Sequence, residues 1–203
     1  MPTPENALAV LFVTPECAPL IKTGGLGDVS AALPAALRRL GIDARVLLPG
    51  YRSVRKAVPV AGRSDPPAVE ALAECGTTHL VEAVLPSGVP VIVVDHPSLY
   101  DRSGGPYQSE TGEDWPDNAL RFGLLSKVAA ILAGSSSPLN WRPEILHCND
   151  WQTGLAPAYL RFAAPAERRA TLFTIHNLAY PGAWPPEWVT RLGLPAEIGR
   201  AHV

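Results

Sequence analysis

Cysteine is scarce in this sequence: three residues, at 17, 75 and 148, with no close pair among them. An odd, dispersed set builds neither a disulfide framework nor a structural zinc site, so reduced and mostly buried thiols are expected. Long apolar runs are missing too. Stretches such as Leu8–Val13 and Val91–Val94 fall far short of the roughly 20 residues a membrane span needs. Met1–Asn6 has no basic region leading into an apolar one, so no secretory signal is legible. Charge of one sign is also lacking: 17 Lys and Arg stand against 19 Asp and Glu, a formal net charge of -2. That balance offers no electrostatic case for nucleic acid or an anionic membrane as partner. There is no internal repeat and no low-complexity tract. These absences together lead to the expectation of a cytoplasmic protein.

What is present suits a folded α/β chain. Of 203 residues, 47% are hydrophobic and 18% charged, enough for one sizeable domain with a real core. The 22 prolines exceed the roughly 5% of an average composition and stiffen many loops. Ala7–Thr14 is a short apolar run with β-branched residues, stopped by Pro15, and reads as a buried parallel strand. Leu26, Val29, Leu33, Leu37 and Leu40 recur at the spacing of one helical face. Pro34 lies inside that helix and is expected to kink or split it, because its ring donates no hydrogen bond and crowds the Ser30 carbonyl. Gly41 ends it, and Asp43–Leu48 follows as a second strand. Strand, glycine-rich loop, helix and strand form a βαβ unit.

Further on, Thr78–Leu85 and Val89–Asp95 flank Pro86-Ser87-Gly88 and predict a hairpin. The polar stretch His96–Asp114 predicts a surface loop, and Leu120, Leu124, Val128 and Leu132 a long helix beginning near Asp117. Glu144–His147 predicts a strand, Trp151–Phe162 a helix capped by Asp150 or Asn149, and Ala170–Ile175 another strand. The alternation predicts a Rossmann-like parallel sheet with helices on both faces. Ligands of such sheets sit beyond the carboxyl ends of the strands. Three polar clusters fall there: Lys22–Asp28, His147–Trp151 and His176–Tyr180.

The first cluster joins Lys22 to Gly24, Gly25 and Gly27 at a helix start. Glycines let backbone N–H groups approach an anion, and a helix N-terminus is partly positive, so with Lys22 the set suits a diphosphate. It is neither a Walker loop nor a dinucleotide fingerprint. A plain turn that needs glycine for its geometry is the alternative. In the second cluster Asp150 either caps a helix or binds sugar hydroxyls, Trp151 offers a face for a sugar to stack on, and His147 fits a satisfied core histidine. In the third, His176 and Asn177 supply the donors and acceptors a polyol needs, or form a turn ahead of Pro181-Gly182. Neither His147 nor His176 has the partners of a metal site.

Lys22-Thr23-Gly24-Gly25-Leu26-Gly27-Asp28-Val29 resembles the N-terminal signature of bacterial glycogen synthases and plant starch synthases. Arg45-Val46-Leu47-Leu48-Pro49, Leu99-Tyr100-Asp101-Arg102, the stretch from His147 to Leu160 and that from Phe173 to Pro181 resemble further segments of that family, in the same order. The likeness covers about residues 8 to 195. It implies the N-terminal domain of a GT-B glycosyltransferase, one that retains configuration, needs no metal or other cofactor, and moves glucose from ADP-glucose (UDP-glucose less often) to the non-reducing end of an α-1,4-glucan. It places Lys22, Gly24 and Gly25 at the donor, and Asp28, Asp150, His176 and Asn177 along the catalytic cleft, with Tyr100 near it. His176 and Asp150 are thereby the candidate catalytic residues.

Members of that family are more than twice as long and carry a second Rossmann-like domain. Residues 1–203 are therefore expected to be an N-terminal catalytic domain without its second half, and residues 198–203 resemble no family segment. A stand-alone module that binds glucan or nucleotide sugar without turnover is the competing expectation. The 203-residue chain is predicted to show little or no transferase activity with labelled ADP-glucose and glycogen; turnover near that of a full-length relative would refute this.

Overall fold

A computed structural model describes residues 7–58, 66–163, 169–196 and 198. Seven strands form one sheet in the order β3-β4-β5-β2-β1-β6-β7. They are β1 (Ala9–Val13), β2 (Asp43–Pro49), β3 (Ala68–Glu70), β4 (Thr77–Val84), β5 (Pro90–Asp95), β6 (Ile145–Asn149) and β7 (Ala170–Thr174). The helices are α1 (Gly25–Arg39), α2 (Arg52–Ala57), α3 (Pro97–Tyr100), α4 (Asn118–Ala133), α5 (Leu155–Ala163) and α6 (Glu187–Arg191). Strands β5, β2, β1, β6 and β7 run parallel, whereas β4 is antiparallel to β5 and β3 to β4. The sheet is thus mixed rather than wholly parallel. The cause is the hairpin turn at Gly88, whose φ of 81° folds β5 directly back on β4. β3, too short for a periodic signal, then adds to its edge.

Every residue of β1 is buried, as expected of a central strand covered on both faces. Connections from one parallel strand to the next are right-handed. α1 carries the chain from β1 to β2, whereas α4 and α5 carry it the other way, from β5 to β6 and on to β7. The two sets therefore cover opposite faces. Strand order reverses between β1 and β6, and such a reversal opens a crevice beyond the carboxyl ends.

Two local expectations change. α1 is a single helix through Pro34, which is buried within it; packing on the sheet holds together fifteen residues despite the missing donor. His96–Asp114 is more than a surface loop. It includes α3, and Leu99 and Tyr100 are buried at 6% and 1% exposure. Arg121 of α4, itself 1% exposed, draws the stretch inward by donating to the carbonyls of Leu99 (2.9 Å) and Pro106 (2.8 Å). Cys17 and Cys148 are buried and free, with burial pushing each thiol up to about 12, so they pack as small apolar groups. Residues 199–203, nearly all of the stretch that resembles no family segment, lie outside the described residues. Among the described residues no helix is long and apolar enough to cross a membrane.

Asp43 fastens the amino end of the sheet. Its carboxylate accepts from Arg38 of α1 (2.7 Å), from Arg45 of its own strand (3.1 Å) and from Trp141 Nε1 ahead of β6 (2.7 Å). Burial tends to raise the carboxyl, but the bonds from Arg45, Arg38 and Trp141 outweigh it and hold the group below the usual carboxylate range. Its stabilising share is therefore present at neutral pH and is lost as pH falls through the lowered value. Asp43→Ala should cost about 1–3 kcal/mol at pH 7 by leaving these donors unpaired, read as a lower urea midpoint. The gap from wild type should close in acid.

Candidate functional site

The loop after β1 returns on itself: Cys17 and Ile21 exchange backbone hydrogen bonds at 3.0 Å each way, so the chain re-enters the strand ends before starting α1. Glu16, 3% exposed, sits inside that loop. One carboxylate oxygen accepts the backbone N–H of Thr23 (2.5 Å) and Gly24 (3.2 Å); the other accepts the hydroxyls of Thr23 (2.6 Å) and Tyr107 (2.5 Å). A buried carboxylate is costly unless its lone pairs are filled, and here four donors fill them. The amides of Thr23 and Gly24 are thus turned onto an internal anion rather than presented to a ligand. Amides of the first helical turn have no partner within a helix.

Gly24 and Gly25 decide between the two readings of the glycines. Gly24 is extended at φ -148° and Gly25 is not among the positive-φ residues, so neither backbone demands glycine. A Cβ at either position would meet nothing within 4 Å. The fold needs neither glycine, and what their absent side chains provide is open space at a helix start. Gly27 differs: a Cβ there would press on Lys22 at 3.0 Å from Cγ, so that glycine lets the lysine stem lie across the helix. Lys22 Nζ pairs with Asp28 at 2.7 Å, the two side chains being 49% and 60% exposed.

Asn149 and Asp150 join the other two clusters. Asn149 is fully buried. Its amide donates to the carbonyls of Val13 (3.0 Å) and His147 (3.3 Å), which leaves its oxygen to accept His176 Nε2 at 3.0 Å. One side chain therefore ties β1 to β6 and orients the histidine beyond β7. His176 is held through Nε2, and its Nδ1 makes no hydrogen bond among the described residues. Asp150 stands at the N-cap position of a 3-10 turn, Trp151–Thr153, but makes no capping bond. Its Oδ1 accepts the backbone N–H of His176 (2.6 Å) and Asn177 (3.3 Å) instead. Asp150 also adopts φ 57°, a left-handed geometry that costs a non-glycine residue of order 1–3 kcal/mol. The helix predicted over Trp151–Phe162 accordingly begins as a 3-10 turn and becomes α5 at Leu155.

The remaining candidates divide. Asn177 forms the turn its position suggested, accepting Ala179 N–H at 3.0 Å, while its amide nitrogen makes no hydrogen bond among the described residues. His147 is a core histidine: it bonds Thr174 Oγ1 at 2.9 Å, and burial, then the nearby His176, keeps it below its ordinary pKa. Trp151 is half-buried and lines a cleft beside β7. Its ring packs edge-on against Phe122 and lies so close to Gly182 that a Cβ there would approach to 2.5 Å. Tyr100 is not brought to the others, since it is buried with its hydroxyl on the Arg121 carbonyl at 2.5 Å. The tyrosine that does reach the loop is Tyr107. Burial, then Tyr51, Glu16 and Asp150, pushes its hydroxyl far above the usual range, so it stays a donor. Sequence reasoning missed Glu16, Tyr107 and Asn149 as site residues. Only Glu16 had a local signal, an acid three residues beyond a strand end. Among the described residues no group of three His, Cys, Asp or Glu side chains is placed to hold a metal ion.

Glu16→Gln tests the clasp. An amide presents a donor to one of the N–H or O–H groups now bonded to the carboxylate, an unpaired buried contact costing about 1–3 kcal/mol. Amide exchange at Thr23 and Gly24 should quicken while exchange in β2 is unchanged; equal protection in both proteins would refute the clasp.

Comparison with known proteins places these features in one context. Residues 9–202 match the starch synthase catalytic domain family. The glycogen synthase of Aromatoleum aromaticum is 58% identical over 191 residues, covering 94% of this chain and 38% of its own length. That of Paramagnetospirillum magneticum is 55% identical over 196 residues, covering 94% and 39%. The catalytic domain of starch synthase IV from Arabidopsis thaliana, solved bound to ADP and acarbose, superposes with a TM-score of 0.71 at 29% identity over 95% of this chain and 38% of that one. The chain thus spans about two fifths of the length of the relatives it matches. With its Lys22 loop, its β1/β6 crevice and this match over nearly all its length, the chain belongs to the family of starch synthase catalytic domains.

Proposed function

We propose that this chain supplies the donor-phosphate and sugar-facing half of a glycogen (starch) synthase, a retaining transferase that moves glucose from ADP-glucose to the non-reducing end of an α-1,4-glucan in the cytoplasm. UDP-glucose is the lesser donor. The observation that carries the reading is the open space over Gly24 and Gly25, beside Lys22 and the start of α1. Breaking the bond between glucose and diphosphate builds negative charge on the leaving group, and groups placed beforehand against that charge speed the step. Lys22 and the first-turn amides of α1 take that part. The relative from Arabidopsis was solved with ADP, which supports an adenine nucleotide as donor.

On the sugar side, positive charge develops at the anomeric carbon. His176 hydrogen-bonds the glucose through Nδ1, held in place by Asn149. Asp150 orients the 176–177 turn through Oδ1, while its second oxygen makes no hydrogen bond among the described residues and takes a sugar hydroxyl. Asn177 adds its amide. Asp28 holds Lys22 at the mouth until the donor arrives. No side chain acts as a covalent nucleophile.

In a full-length context, Lys22→Ala should lower kcat/KM for ADP-glucose by about 10²-fold, the scale of one lost charge-stabilising donor, with the KM for glucan little changed. Gly25→Ala separates site from scaffold. Alanine favours a helix by about 1 kcal/mol over glycine, so the Tm of the 203-residue chain should hold or rise while donor use falls. Unchanged donor use in both variants would overturn the proposal.

A further inference from the structure

Arg121 carries a charge that its surroundings do not balance. The residue is 1% exposed, and a buried cation is ordinarily matched by a carboxylate. Its acceptors are all neutral: Nε donates to the Leu99 carbonyl (2.9 Å), and Nη1 to the Pro106 carbonyl (2.8 Å) and to Asn118 Oδ1 (2.7 Å). No carboxylate of the described residues pairs with it; Asp117, whose charge reaches it, is held by Arg102 at 2.8 and 2.6 Å. The rings of Tyr51, Tyr100, Trp115 and Phe122 lie 5.5 to 5.9 Å from the guanidinium, near the roughly 6 Å limit of cation–π attraction. None of them offers an acceptor to Nη2, which makes no hydrogen bond among the described residues. Burial accordingly pulls Arg121 below its ordinary pKa, although arginine stays charged. Holding two carbonyls and an amide oxygen requires donors but no net charge, so the charge is left over.

Arg121 also lines a cleft of about 370 Å³ between the start of α2 and the 102–106 stretch. Arg52, Lys56 and Arg102 line it too, against one acid of the described residues, Glu110. Arg52 and Arg102 are paired with Asp101 and Asp117. Lys56 is exposed and has no ion pair among the described residues. Tyr51, another lining residue, is 5% exposed; burial raises its pKa, and its hydroxyl has no hydrogen-bond partner among the described residues. Donors thus exceed acceptors around the cleft, and the excess is cationic. An uncharged sugar or an apolar segment would leave Arg121 unbalanced. A phosphoryl group brings negative charge and three strong acceptor oxygens, the set that arginine and lysine side chains bind. The volume lies at the low end of small-molecule sites, which begin at roughly 300 Å³, and leaves room for a small organic group on the phosphate.

We infer that this cleft binds a phosphoryl oxyanion, free or esterified to a small polyol, with Arg121 Nη2 and Lys56 as its charged partners. The site is separate from the proposed donor loop: Ile21 lines the cleft but Lys22 does not, and Lys22 is paired with Asp28. The inference does not rest on the donor-site reading and is tested without measuring activity.

The experiment titrates the 203-residue chain at constant ionic strength and follows its amide resonances by NMR. Inorganic phosphate and glycerol 3-phosphate should shift Ser53, Ser103 and Gly105 along a saturating curve, and the tighter of the two shows whether the anion is taken free or as an ester. Arg121→Gln keeps a donor for the carbonyls and removes the charge; it should abolish saturation. Lys56→Gln should raise Kd about 10-fold, the scale of one charge-assisted hydrogen bond, and carries the test if Arg121→Gln does not fold, since Lys56 is exposed and unpaired. Lys22→Ala, and Arg39→Gln at the far end of α1, should each leave Kd within about twofold, as expected of sites that share no partner. Shifts confined to residues 24–27, or a Kd raised by Lys22→Ala and not by Lys56→Gln, place the anion in the donor loop and overturn the inference. An equal loss in Arg39→Gln marks non-specific screening and overturns it too. The absence of any saturating shift does the same, as does maltoheptaose moving the same three resonances, which makes the cleft a sugar site.

Discussion

The Glu16 carboxylate is the constraint on which the Lys22 side of the crevice, the proposed donor side, depends. A loop that leaves β1, doubles back and then begins a helix has many conformations open to it, and ordering it costs entropy at each residue. Four hydrogen bonds to one buried anion select a single form. They also fix the direction of the amides, because those of Thr23 and Gly24 are consumed internally and the helix-start amides beyond are left. Tyr107 closes the clasp from a segment ninety-one positions away. The 97–117 region is in turn drawn inward by Arg121 and by the Arg102–Asp117 pair, at 2.8 and 2.6 Å. The core of the domain thereby reaches the Lys22 loop through a short chain of polar contacts, each paired.

The Asp150 side of the crevice, proposed to face the sugar, has the same logic with different atoms. Asn149 is placed by two backbone carbonyls, so the orientation of its amide is determined, and with it the proton on His176 Nε2. Asp150 is held in a left-handed backbone conformation by its neighbours, Asp150 N–H on the Thr174 carbonyl at 2.9 Å among them. Strain of this kind persists only where the surroundings impose it. Here it turns the Asp150 carboxylate back toward β7 instead of along the helix it precedes. Three strand ends consecutive in the sheet but distant in sequence thus share side chains across the switch point.

Much of this was legible in the residues. Apolar runs with firm terminators give β1, β2 and the hairpin nearly residue by residue, because burial and turn chemistry are local signals. The convergence of the Lys22, Asp150 and His176 segments follows from parallel strands alone. What escaped was decided by contacts between distant residues. Tyr107 lies in a polar stretch and acquires its part only through Glu16, and Tyr100, in a more apolar setting, turns out to support Arg121. Asp150 has the sequence position of a helix cap, and only the approach of β7 gives its carboxylate other donors. Trp151 reads as a platform, and only the folded chain shows Gly182 returning against part of its ring. Pro34 forecast a break that tertiary packing absorbs.

The two halves of the Lys22 loop differ in rigidity, and the difference suits the donor binding proposed for it. Glu16 is buried, and its four hydrogen bonds leave the backbone little freedom. Lys22 and Asp28 stand half-exposed at the mouth, where an ion pair contributes little because water screens it and long side chains lose entropy in forming it. Exchanging Asp28 for a diphosphate therefore sacrifices little, while the phosphate gains a cation, a helix start and a backbone already in position. Had Lys22 been buried against a carboxylate, breaking that pair would have consumed much of what the donor contributes. A rigid backbone with a loosely held cation lets the charge follow the ligand as negative charge grows on the leaving group. That is the interval in which stabilisation accelerates transfer.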